Sequence, residues 1–342
     1  MPQSNIREIR FILDLLQQHS TLDLVRSFFK GRGLPHSATA WAELENQRIL
    51  PALESGKITA QDLLGLTRER EEYGRQHIFL YQTNKAKRLS DATRVKGFLR
   101  ARGIARIVEE PLLIDKPSHP TIVEARWEEN AFVLKIVKTR YIERHERQSE
   151  HGDSYTMKIN RIPTRAVHVI RLNSTGLLEM RIESHATSGF FGRARLAPRY
   201  DADVTEAWEI TAEILPHEDF EEESLAHAKS SLWKNRKLLK DVQYSGVKVR
   251  NQKGNVVVFS TGEMDANLST DSEFSSAIDT VYSKESSCER SNLRFLHEDG
   301  AALPSRDIHV LIGGRVNEFA IPGLCSKDDY EYALGRLLQH NK

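Results

Sequence analysis

Cysteine is nearly absent: Cys288 and Cys325 are the only two in 342 residues. Two thiols exclude a disulfide framework and a zinc site built from cysteines, and they fit a reducing compartment. No apolar run approaches the ~18 residues that a membrane helix needs, so no membrane partner is expected. The first segment, Met1 to Gln18, carries Arg7, Glu8, Arg10 and Asp14 among its apolar residues. A signal peptide has an uncharged apolar stretch there. These features predict an intracellular protein, cytoplasmic in a prokaryote and nuclear in a eukaryote. An excess of one charge is missing too, with 49 Lys and Arg against 48 Asp and Glu. No phosphate-binding glycine loop appears. Gly313-Gly314 leads through Arg315 and Val316 into another strand-like run rather than a helix, which reads as a plain turn. There is no Gly-x-Ser-x-Gly elbow.

What is present is an ordinary globular composition, 39% hydrophobic and 28% charged, in a chain long enough for about two domains. The first hundred residues read as helical. Ile6, Ile9, Leu13 and Leu16 repeat at helical spacing. Leu22, Val25, Phe28 and Phe29 form a second stripe, which stops at Gly31 and Gly33. A third segment runs from Ser37 towards Leu53, with Pro51 expected to kink or end it. Thr59 and Asp62 form a capping-box pair before a helix expected to reach Tyr81. A fifth helix is expected after Ser90.

The pattern then changes. Thr121–Trp127, Phe132–Tyr141, Tyr155–Ile159, Ala166–Leu172 and Leu177–Ile182 read as an antiparallel meander of five strands, with hairpin turns at Glu128-Glu129-Asn130 and Asn173–Gly176. Residues 188–200 break both periodicities and read as a linker. Beyond them a helix is expected over Glu221–Lys240. A hairpin is expected around Asn251–Gly254, a short helix over Phe274–Tyr282, then strands Leu293–Leu296, Ile308–Ile312 and Glu318–Ile321 and a final helix. Helices and strands in separate blocks predict an α+β protein. The expected divisions are a helical bundle over 1–83, a basic helical junction over 84–110, an antiparallel sheet domain over 111–187 and a C-terminal α+β domain over 201–342.

Catalytic signals are weak. Cys288 lies among Ser, Glu and Arg and reads as a loop thiol; Cys325 precedes a helix, and the sequence names no base to pair with it. His145 and His151 with Glu143, Glu146 and Glu150 form the one histidine–carboxylate cluster, without the spacing of a metal site, and read as a solvated hairpin tip. Glu124, Glu129 and Lys135 offer the groups of a metal-dependent nuclease, but no acid stands two residues before Lys135. No metal, cofactor or catalytic residue is therefore expected, and a nuclease is the least favoured alternative.

The stronger signal is charge in blocks. From Lys85 to Arg106 stand eight bases (Lys85, Lys87, Arg88, Arg94, Lys96, Arg100, Arg102 and Arg106) and one acid, Asp91. From Asp201 to Glu223 stand ten acids and no Lys or Arg. From Lys229 to Lys253 stand eight bases against Asp241. A helix carrying the first block is a candidate contact for a phosphate backbone. The alternative is a charged helix paired with the acid block. Phe190 and Phe191 beside Arg193 and Arg195 form a second candidate, for DNA or a protein partner.

Three helical segments, Ala40–Leu50, Gly56–Leu64 and Gln76–Gln82, resemble the pyrin-like N-terminal domain of the centromere protein N family of kinetochore proteins. Thr121–Val137 resembles the start of that family's sheet. The resemblance spans roughly residues 20–185. It implies a non-enzymatic protein without cofactor, whose helical bundle and sheet hold DNA through a basic junction. Carried onto this chain, it implies that Lys85, Lys87, Arg88, Arg94, Lys96, Arg100, Arg102 and Arg106 face duplex DNA. A prokaryotic anti-phage component with this arrangement, a protein–protein adaptor and a homo-oligomer fit the same pattern.

Overall fold

The computed structural model describes residues 3–151, 154–185, 200–251, 253–262, 266–281, 287–298 and 303–342. The chain divides into two compact units. The first is Met1–Gly74 with Leu324–Lys327; the second is Arg75–Gly323 with Asp328–Lys342.

The first unit is helical, as its periodicity predicts. It holds α1 (Gln3–His19), α2 (Leu22–Gly31), α3 (Trp41–Leu44), α4 (Leu50–Glu54) and α5 (Ala60–Glu72). Pro51 does not end the third segment. A π-helical turn, Glu45–Ile49, directly precedes it, and such a widened turn accommodates a residue that cannot donate to the helix ladder. The capping box forms as read: Thr59 N donates to Asp62 Oδ2 at 2.8 Å and Asp62 N to Thr59 Oγ1 at 3.2 Å. Hydrogen bonds from Arg32 and from the Thr59 backbone hold the Asp62 carboxyl down at about 2.

The helix expected to reach Tyr81 stops at Glu72. Gly74 and Arg75 both adopt positive φ, 82° and 51°, and the chain turns into β1 (Gly74–Gln82). Ile78, Phe79, Leu80 and Tyr81 are all buried. A short apolar run buried on both faces cannot be told from a helix by periodicity alone. The resemblance places Gln76–Gln82 in a helical bundle; here it is a strand within a large sheet.

The second unit is built on that sheet. After β1 come α6 (Ala86–Leu89), α7 (Ala92–Ala101), β2 (Thr121–Glu128), β3 (Ala131–His151), β4 (Ser154–Asn173) and β5 (Leu177–Glu183). Four strands thus stand after α7 where five were expected. Phe132–Tyr141 runs on into the charged stretch, and Tyr155–Ile159 joins Ala166–Leu172. The two strands pair from Ala131↔Asn173 to His151↔Ser154, with one register shift between Arg147 and Ser149. Both hairpin turns lie where predicted. At the second, Gly176 (φ 96°) packs so tightly on Thr83 O that a Cβ would lie 1.9 Å from it.

Then follow α8 (Asp201–Thr211), β6 (Glu221–Glu222), α9 (Ala226–Lys234), β7 (Val242–Arg250), β8 (Val256–Ser260), α10 (Ser272–Val281), β9 (Ser287–Phe295), β10 (Ile308–Ile312), β11 (Glu318–Leu324) and α11 (Lys327–His340). The helix expected over Glu221–Lys240 is only α9. Cys288 lies buried on β9, not in a loop, and burial pushes its thiol pKa up. The strand order is β2-β3-β4-β5-β1-β11-β10-β9-β7-β8, with β6 beside β1. Strands from before and after 188–200 therefore share one sheet. One face of its first half packs against α6, α7 and α8 through Leu89, Val95, Leu99, Val204, Ala207 and Trp208. This core fixes the position of the basic block.

Candidate nucleic-acid interface

The eight bases divide into two sets. α7 buries Val95 and Leu99 against the sheet. Asp91 caps the helix, accepting from Arg94 N at 2.8 Å. On one flank, Arg94 donates to the carbonyls of Ile214 at 2.8 Å, Glu213 at 3.0 Å and Leu89 at 3.2 Å. Its guanidinium lies 4.9 Å from the Phe98 ring centroid. Burial of that guanidinium, and then the nearby Arg88, lower its pKa; it remains charged at any physiological pH. Two turns on, Arg102 donates to Ile210 O and Glu213 Oε2, both at 2.9 Å. These acceptors lie at and just beyond the C-terminus of α8, where helix carbonyls lack intrahelical partners and the dipole favours cations.

Lys85 and Arg88 converge on Asp219, Arg88 at 2.6 Å. The hydrogen bond from Lys85 is the chief cause of the lowered Asp219 pKa. Four of the eight bases thus meet the 201–223 acid block. Lys87, Lys96, Arg100 and Arg106 are exposed and form no ion pair among the described residues. Lys96 and Arg100 stand one turn apart on α7, with the Lys96 ammonium 6.0 Å from the Trp127 ring centroid. Beside them, Asn84, Lys85, Lys87, Arg88, Asp91 and Arg94 line an open groove. The structure therefore brings four bases to one groove, with the other four on the adjoining helix and turn.

Phe190, Phe191, Arg193 and Arg195 lie outside the described residues, as do the side chains of His145, Glu146, Glu150 and His151. Among the described residues, no group of three or more His, Cys, Asp or Glu could hold a metal ion. Glu124 faces Lys135 across the β2–β3 pair, both buried, and Arg126 lies 3.3 Å from Glu124. Glu129 stands apart, in the turn after β2. The same sheet face continues into Arg171 and Arg181, which flank Glu179 at 2.8 and 2.6 Å. Burial pushes the Glu179 carboxyl up, but the two arginines and the Tyr330 hydroxyl outweigh it and hold it ionised.

A cluster at the start of α8 escapes sequence reasoning. Asp203 accepts from Lys138 at 2.8 Å and lies 2.7 Å from His185 Nε2 and 3.8 Å from His168 Nε2. Burial raises its pKa, yet His185 and Lys138 together hold it below its ordinary value. His185 and His77 both pack on the Tyr200 ring, and His77 Nδ1 lies 2.6 Å from Glu318 Oε1. These residues come from six separate segments, so no local motif announces them. Comparison with protein-family models finds no match, and comparison with curated proteins finds none.

Proposed function

We propose that the protein binds duplex DNA through phosphates, without catalysis, using Lys87, Lys96, Arg100 and Arg106 around the groove at α6 and α7. The observation that carries this reading is the division of the basic block. Half of it is accounted for by acids and carbonyls of the same chain, and the other half is exposed on one short helical segment without a counter-charge. Such cations release condensed counterions when they meet a backbone, and affinity then falls with salt by about 0.9 log units per phosphate contact for each tenfold rise. The resemblance to the centromere protein N family implies the same junction.

Gel shifts with a duplex at several salt concentrations test this. Lys87→Glu, Lys96→Glu, Arg100→Glu and Arg106→Glu together should abolish the shift with an unchanged circular dichroism spectrum. Converting the four to Ala should flatten the log–log salt slope by roughly 3 to 4. Unchanged affinity in the folded variants would instead favour an adaptor whose partner is another protein. Arg94 and Arg102 are poor choices for this test, because they fasten the end of α8.

A further inference from the structure

The β3–β4 hairpin outruns its neighbours. β2 pairs with β3 only as far as Val137, and β5 with β4 only as far as His168, while β3 and β4 pair on to His151↔Ser154. Thr139 Oγ1 on Pro117 O, Arg140 on the Glu183 and Ser184 carbonyls and Arg165 on Ile114 O tie down the base. Beyond it runs a two-stranded ribbon, roughly 40 Å long at about 3.3 Å per residue. No other strand pairs with either outer edge among the described residues. A lone two-stranded ribbon is marginal in water, and an open edge is a template for another strand. Tyr141, Ile159 and Ile162 are 62%, 54% and 41% exposed.

The two edges differ. β4 carries Pro163, which has no N–H and obstructs further pairing on that side. β3 has no proline between Lys138 and His151. Its charges invert about His145: Glu143 and Arg144 precede it, Glu146 and Arg147 follow. If this strand pairs antiparallel with itself about His145, Glu143 meets Arg147 and Arg144 meets Glu146, on both sides of the axis. All four pairs are of opposite sign and each joins residues on one face. A two-fold contact requires a surface that is its own complement, and this strand meets that requirement. A duplex groove also admits a β-ribbon, but Glu143 and Glu146 would then oppose phosphates.

We infer that the β3 edge of this arm binds the same edge of a second copy of the chain, antiparallel and centred on His145, joining two ribbons into a four-stranded sheet. Glu143 already lies 3.4 Å from Arg161 across its own ribbon, both side chains exposed.

Light scattering on the full chain tests the inference. The wild type should show twice the 39.1 kDa mass of one chain. Glu143→Arg with Glu146→Arg makes the four charged positions flanking His145 all cationic, and Arg144→Glu with Arg147→Glu makes them all acidic. Each variant alone should be monomeric, and an equimolar mixture should recover the dimer mass. A single His145→Cys change gives an independent measurement. Opposed Cα atoms in an antiparallel pair are ~4.5–5.5 Å apart, within disulfide reach. Mild oxidation should therefore cross-link that variant, and should leave a Lys158→Cys control on β4 uncross-linked. A monomeric wild type, reversal variants that dimerise as well as it does, or a mixture that stays monomeric would overturn the inference. So would loss of duplex binding in the acidic variant with the dimer mass retained, which would make the arm a nucleic-acid contact.

Discussion

Burial deprives His168 of the water its charged form needs, and this pushes its pKa down to about 3. The Asp203 carboxylate pulls the other way, while Arg140 and Lys138 add repulsion. The unfolded chain takes up this proton near pH 6.5, its ordinary value. A folded pKa below the unfolded one means that the contribution to stability is complete above about pH 6.5 and is lost as pH falls towards 3. Asp203 and Asp62, both held low, lose their contributions at lower pH, below the ordinary aspartate value near 4. Denaturant midpoints should therefore fall between about pH 6.5 and about pH 4 before the carboxylates respond. His168→Gln should flatten that limb. A variant as pH-sensitive as the wild type would assign the effect to another histidine.

At the scale of elements, α7 performs two tasks on adjoining faces. Val95 and Leu99 hold it to the sheet, and Arg94 and Arg102 close the end of α8, leaving Lys96 and Arg100 outward. Removing Arg94 strands partly buried carbonyls, so Arg94→Ala should cost about 2 to 3 kcal/mol. Arg102→Ala, at a more exposed site, should cost about 1 kcal/mol. Lys96→Ala and Arg100→Ala should stay within about 0.5 kcal/mol of wild type. Urea denaturation of the four variants measures the contrast. If all four behave alike, the division of the block into structural and free bases is wrong.

Across the whole molecule, distant parts of the chain meet in the sheet. β1 lies between β5 and β11, and β11 joins it to β10, β9, β7 and β8. A fragment ending at residue 187 would lack the β11 neighbour of β1 and the Trp208 side of the core. It would also lose the Tyr330 hydroxyl on Glu179. That fragment should be insoluble or unfolded by circular dichroism. A chain nicked by trypsin at Arg193, Arg195 or Arg199 should instead elute in gel filtration with both pieces together. A soluble fragment with native strand signal would show that the sheet halves fold independently.

Local patterns were legible in the sequence wherever one period or one turn signal is enough. The stripes of α1 and α2, the Thr59–Asp62 box, the turns after β2 and β4, the β7–β8 hairpin and the last helix all follow from residues within one or two turns of each other. The concentration of bases at 85–106 was equally plain. Two strand boundaries misled, because Gln76–Gln82 is apolar on both faces and because charged residues interrupt the long β3 and β4, whose pairing runs on past one register shift. Tertiary structure alone decided which bases are spoken for. Arg94 and Lys96 are chemically similar and two residues apart, yet only packing against α8 turns one towards carbonyls and leaves the other exposed. It also decided that Lys138, His168, His185 and Asp203 meet, since contacts across 65 residues depend on how the sheet and α8 pack, which no local pattern of residues encodes.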